Sequence, residues 1–270
     1  MSKKIFYLSS EVDPFSNTYS LSQFSQKVCS RLHDISDFDI RLNQPKYGYI
    51  SERKYILREV IRLRDMLIDF ADGQDSVNLK SAFIPNTRVQ IYFTESDKHF
   101  KPLLELLYKS KNGRFYKDND FKFSFFCKVA LETIKRLFWQ PDIIICNDWQ
   151  MSSLPILLKN NYKNDEYYKN IKTVFILHSI NENRYYSDAS HEYIDLKAPS
   201  SKIDNLELAI KCSDYLVVVD DEKKNMSKLF KKNKNLFDAH KKTKTLYLDV
   251  PGKPKWSEIS KKIETLLRKI

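Results

Sequence analysis

Three short polar stretches each follow an apolar run, and they carry the side chains best suited to chemistry. SSEVDPFSNTYSL, ending at Leu21, contains Glu11, Asn17 and Tyr19; NDWQ contains Asp148 and Trp149; HSIN opens with His178. In an open α/β sheet, ligands collect beyond the carboxyl ends of the strands near the topological switch point, so polar residues just past a strand are placed to meet a ligand. Each also has a plain structural meaning. Glu11 and Asp148 read either as site carboxylates or as caps of the helices that follow them. His178 reads as a titratable site group or as a hydrogen-bonded core histidine. Trp149 fits a core position better than an exposed platform.

Other chemistries lack their residues. The chain has four glycines in 270 residues, Gly48, Gly73, Gly113 and Gly252, and no two are close. A dinucleotide fingerprint or a P-loop needs clustered glycines for backbone N–H groups to reach phosphate, so neither is present. Cys29, Cys127, Cys146 and Cys212 are widely separated with no C-x-x-C pair, which predicts buried thiols and no metal site. No nucleophile lies beside an activating base and no H-E-x-x-H occurs. No cofactor is expected.

The elements that position these turns follow from hydrophobic periodicity. KKIFYLS (Lys3 to Ser9), DIIIC (Asp142 to Cys146), KTVFIL (Lys172 to Leu177) and YLVVV (Tyr215 to Val219) are unbroken apolar runs, the pattern of strands covered on both faces. Phe38, Ile40 and Leu42 alternate into a strand ending at Pro45, and Thr243 to Leu248 suits a last strand. Helical spacing appears at Leu21, Phe24, Val28 and Leu32, from Phe121 to Leu137, from Trp149 to Lys159, from Asp221 to Phe230 and from Trp256 to Leu267. Phe100 to Tyr108 carries weaker helical spacing. Residues 55 to 94 hold alternating apolar positions around Pro85-Asn86 and predict a β-hairpin excursion. The expected fold is therefore α/β, a Rossmann-like doubly wound sheet with four or five parallel strands.

Hydrophobic residues make up 42% of the chain and charged residues 30%, which fits a globular protein and excludes a disordered one. The net charge of +11 is uneven: residues 197 to 270 hold 18 Lys/Arg against 10 Asp/Glu, with Arg268 the single arginine. A basic C-terminal region suits an anionic or protein partner. Nucleic acid is not the expected partner, because base readout and phosphate forks favour arginine. No apolar stretch approaches a spanning length or a signal segment, so a cytoplasmic protein without membrane contact is expected.

Order and spacing of five stretches carry a family likeness: SSEVDPFSNTYSL, QPKYGYI, NGRFYKDNDFKFSFFCKVALE, QPDIIICNDWQMSSLPILLKNNY and IKTVFILHSINEN. Together they resemble the N-terminal domain of bacterial glycogen synthases and plant starch synthases, GT-B enzymes that transfer glucose from ADP-glucose to an α-1,4-glucan. The resemblance spans about residues 1 to 230 and implies one half of a GT-B fold, with residues 1 to 235 as the Rossmann domain and 236 to 270 as a basic tail whose helix packs back. It implies a role near the transferred sugar for His178 and near an acceptor hydroxyl for Asp148, with Glu11, Asn17, Tyr19 and Trp149 on the substrate side.

The departures are equally specific. Where the family has K-T-G-G-L, this chain has Asn17-Thr18-Tyr19-Ser20-Leu21, losing a cation and replacing a glycine by a phenol. H-D-W-H has become Asn147-Asp148-Trp149-Gln150, and T-I-H-N has become Ile176-Leu177-His178-Ser179. The donor-binding half of the family fold has no counterpart in these residues. The reading is a degenerate glycogen synthase-like protein, inactive alone, that binds an α-glucan or works with a separate donor-domain chain. The alternative is a non-catalytic interaction module using its basic C-terminal region.

Overall fold

The computed structural model describes residues 2–71, 73–101, 106–194, 203–221, 225–241 and 243–270. The chain opens with strand β1 (Lys4–Leu8), helix α1 (Ser20–Ile35), β2 (Asp39–Pro45), the short α2 (Glu52–Tyr55), β3 (Arg58–Glu59), β4 (Met66–Phe70), β5 (Gly73–Phe83) and β6 (Gln90–Glu95). It continues through α3 (Asn119–Arg136), β7 (Ile143–Asn147), α4 (Ser153–Asn160), β8 (Lys172–Leu177), β9 (Tyr185–Tyr186) and α5 (Asp188–Glu192). It closes with β10 (Ile203–Asp204), α6 (Asn205–Cys212), β11 (Tyr215–Asp221), α7 (Met226–Lys232), α8 (Lys234–His240), β12 (Lys244–Val250) and α9 (Trp256–Arg268).

The main sheet runs in the order β12-β11-β8-β7-β1-β2-β6-β5-β3, with β4 paired to β5. Every pairing from β12 to β6 is parallel, while β5 pairs antiparallel with β6, β4 and β3. Seven strands are thus parallel, more than the four or five expected. The difference comes from Ile91 to Thr94, which belongs to the expected β excursion but lies parallel along β2, and from the full seven-residue register of β12 on β11.

The central strands are buried on both faces because helices cover them, which is why they read as unbroken apolar runs. Leu21, Phe24, Val28 and Leu32 put one stripe of α1 into the core, and Ile259, Ile263 and Leu267 of α9 join the same core cluster. The Lys3 ammonium donates to the Leu267 carbonyl at 3.0 Å, tying the end of α9 to the start of β1.

Winding leaves β1 in one direction to β2 and β6 and in the other to β7, β8, β11 and β12. The switch point therefore lies between β1 and β7, and the turns after β1, β7 and β8 meet there. The Trp149–Lys159 expectation resolves into a 3₁₀ turn, Trp149–Met151, followed by α4. Phe100, Lys101 and residues 106–108 are not helical, and residues 102–105 lie outside the described residues, as do 222–224 of the Asp221–Phe230 expectation.

Candidate functional site

The turn after β1 is built around a buried carboxylate. Glu11 accepts from the Thr18 backbone N–H at 2.5 Å, the Thr18 hydroxyl at 2.6 Å and the Tyr108 hydroxyl at 2.8 Å. Burial raises its pKa above the ordinary carboxylate value, and those three donors partly offset the shift. Tyr47 donates to the Ser10 carbonyl at 2.9 Å and so fixes the same loop from β2's side. Asn17 faces its own loop, donating to Asp13 at 2.9 Å and accepting from the Ser22 hydroxyl at 2.7 Å.

Asp148 follows β7 in a sparsely populated conformation, φ 61° and ψ −175°, where a non-glycine residue carries strain of about 1–3 kcal/mol. Its carboxylate accounts for the strain being held. Oδ1 accepts from the backbone N–H groups of His178 at 3.1 Å and Ser179 at 2.9 Å, and Oδ2 accepts from the Ser179 hydroxyl at 2.6 Å. The side chain thus joins the end of β7 to the turn after β8. The neighbouring Asn147 amide is oriented by its own donation to the Leu8 carbonyl at 2.8 Å, so its oxygen accepts. His178 Nε2, 3.3 Å from that oxygen, therefore carries the proton and points into the protein. Its ring stands edge-on to Phe24 at 4.8 Å.

Tyr19 lies between these two groups. Its hydroxyl donates to Asp148 Oδ2 at 3.4 Å and accepts from Gln150 Nε2 at 3.0 Å, and its ring meets Tyr108 edge-on at 6.1 Å. Burial, followed by the charges of Asp148 and Glu11, pushes the phenol pKa well above its usual value, so it remains a neutral donor. Tyr19 is therefore a side chain spanning the switch point.

Of the residues expected at a site, Glu11, Tyr19, Asp148 and His178 converge. Trp149 is 3% exposed, packed against Tyr108 and Phe123, and presents no open face; Asn17 is turned away from Asp148 into its own loop. Three participants escaped sequence reasoning. Ser179 and Gln150 show in the sequence only as departures from the family-like motifs, and Tyr108 arrives from a stretch whose spacing predicts a helix. Among the described residues no group of three or more potential metal ligands occurs.

Two concavities border this floor. One, of about 810 Å³, lies on the outer side of the β1 turn, with Asn17, Thr18, Tyr49, Lys54, Tyr55 and Lys101 among its walls. Tyr49 is 51% exposed and stacks on buried Tyr47 with ring centroids 6.0 Å apart. Gly48 must be glycine here, because a Cβ would collide with the Lys101 carbonyl oxygen across the groove. The other concavity, about 280 Å³, lies between His178, Phe24 and Trp256.

The sequence profile of the starch synthase catalytic domain matches residues 4–234. The chain belongs to that family. It is 38% identical over 177 residues to a glycogen synthase from Pelodictyon phaeoclathratiforme, covering 66% of this chain and 36% of that protein. A glycogen synthase from Chlorobaculum tepidum is 30% identical over 225 residues, covering 81% of this chain and 46% of the relative. This chain therefore spans between a third and a half of these curated relatives. The fold matches the catalytic domain of Starch Synthase IV from Arabidopsis thaliana, bound to ADP and acarbose, with a TM-score of 0.72 at 18% identity over 92% of this chain and 52% of that one. A mostly parallel α/β sheet flanked by helices is thus the starch synthase arrangement. No described helix is long and apolar enough to cross a membrane.

Proposed function

We propose that this starch synthase family member holds an α-1,4-glucan on its β1-side groove and does not by itself transfer glucose from ADP-glucose. The observation that carries the second half is the Tyr19 phenol, held between Asp148 and Gln150 at the strand ends where a reacting sugar must reach. The carboxylates of Glu11 and Asp148 already accept from this chain's own donors, and His178 Nε2 is committed to Asn147. The positions whose family counterparts carry a lysine and a glycine here carry Asn17 and Tyr19, so donor phosphate meets neither a cation nor an approachable backbone. Transfer at this edge requires a donor-side domain together with displacement of Tyr19.

The first half rests on the groove itself. Aromatic faces beside polar groups suit a sugar chain, whose C–H faces pack on rings while its hydroxyls find hydrogen-bond partners. Tyr49 and Tyr55 supply the faces, and the Ser51 hydroxyl and the Lys54 ammonium supply the partners. Native affinity electrophoresis in gels with and without glycogen tests the reading. Retardation by glycogen that is weakened in Tyr49→Ala supports it; equal migration in both gels overturns it.

A further inference from the structure

The β excursion ends the sheet in a surface that the glucan reading leaves unused. Beside β3, a groove of about 410 Å³ is walled by Tyr55, Ile56, Phe83 and Pro85, within the range of about 300–1,000 Å³ typical of ligand sites. Ile56 is 68% exposed and Phe83 59% exposed. Ile56 also holds φ 51° and ψ 51°, a left-handed conformation costly for a β-branched residue, and this strained turn presents an aliphatic side chain to water.

The charges around this apolar floor are unbalanced. The carboxylates nearby are already paired: Glu52 with Lys46 at 3.0 Å and Lys80 at 2.6 Å, and Glu59 with Arg64 at 3.7 Å. Lys54 and Arg58 line the groove, and Arg88 sits on the turn that carries Pro85; among the described residues none of the three forms an ion pair. An apolar centre bordered by uncompensated cations is complemented by apolar side chains set between carboxylates. A nucleic acid offers the charge but no aliphatic groups for Ile56, and a second copy of this chain, itself carrying +11, opposes like charge with like.

We propose that the groove between Tyr55-Ile56 and Phe83-Pro85 docks an acidic, apolar peptide segment of a partner protein. The inference is independent of the glucan reading, although Lys54 and Tyr55 also border the larger groove and place the two occupants side by side.

Fluorescence anisotropy of the full chain with a labelled short peptide alternating glutamate with leucine and phenylalanine tests it. A lysine-for-glutamate peptide and an oligothymidylate serve as the contrasting probes. The expected result is saturable binding of the glutamate peptide, weakened about tenfold or more by Phe83→Ser and by Arg58→Glu, with no binding of the lysine peptide. Both positions are exposed, so melting temperatures should stay near wild type, and glycogen retardation of Phe83→Ser should be unchanged. The proposal is overturned by absence of saturable binding, by binding that neither substitution weakens, or by equal binding of the lysine peptide. It is also overturned by oligothymidylate displacing the peptide through a site sensitive to Arg58→Glu alone, which would mark a polyanion surface instead.

Discussion

Tyr19→Phe removes one oxygen and leaves the ring. Among the described residues that oxygen is the sole partner of the Gln150 amide: Gln150 Nε2 donates to it at 3.0 Å, Gln150 Oε1 accepts from none of them, and the residue is fully buried. Leaving a buried polar group unsatisfied costs about 1–3 kcal/mol, and the lost bond to the Asp148 carboxylate, long at 3.4 Å, adds toward the low end of the range for charged partners. A loss of about 3 kcal/mol follows, equivalent to a fall in Tm of roughly 6–12 °C for a chain of this size. Urea denaturation followed by tryptophan fluorescence measures it, and an unchanged m-value shows that the unfolded state is the same. Removing both polar partners is less costly than removing one, so Tyr19→Phe combined with Gln150→Leu should recover about 1 kcal/mol relative to additivity. A single variant within about 0.5 kcal/mol of wild type, with no coupling to Gln150, would refute the view that Tyr19 is anchored across the switch point.

Three further outcomes are expected. Because the folded protein raises the Glu11 pKa, ionising this group costs stability; its contribution is fully present at low pH and is lost as pH rises from the ordinary carboxylate value through the raised one. Melting curves across that window should therefore shift in favour of Glu11→Gln as pH rises, and a constant difference between the two proteins would contradict the assignment. Burial pushes the thiols of Cys29, Cys127 and Cys146 up, so a disulfide-exchange reagent should titrate at most Cys212 in the native protein and all four thiols after denaturation. Leu267→Ala, deep beneath α9, should cost about 2–5 kcal/mol in urea denaturation if that helix belongs to the common core, and less than about 1 kcal/mol if it does not.

Much of the fold is legible because parallel strands buried on both faces must be continuously apolar, as KIFYL, IIIC and YLVVV are. Alternation marks β6 as a strand of the excursion but does not show its parallel place in the sheet, because its partner, β2, is identified only by topology. The helical spacing from Phe100 to Tyr108 reflects burial of Phe100 and Leu107 against the core. There the backbone instead turns, with Phe100 and Lys101 both donating to the Ser96 carbonyl. At the site, strand ends reveal Glu11, Asp148 and His178 because their positions follow from the sheet. Their partners are less legible: Gln150 and Ser179 stand in those turns only as departures from the family's motifs, and Tyr108 is chosen by distance across the crevice, which local sequence does not encode. Nor does the sequence show that Asn17 turns inward toward Asp13 and Ser22.

The most direct measurement of the central claim is incorporation of radiolabelled glucose from ADP-glucose into glycogen by the purified chain, run beside Asp148→Asn. The account predicts counts indistinguishable from the protein-free blank for both proteins. Incorporation by the wild type that saturates with ADP-glucose and disappears in Asp148→Asn would show that Tyr19 does not close the site, and would contradict the account.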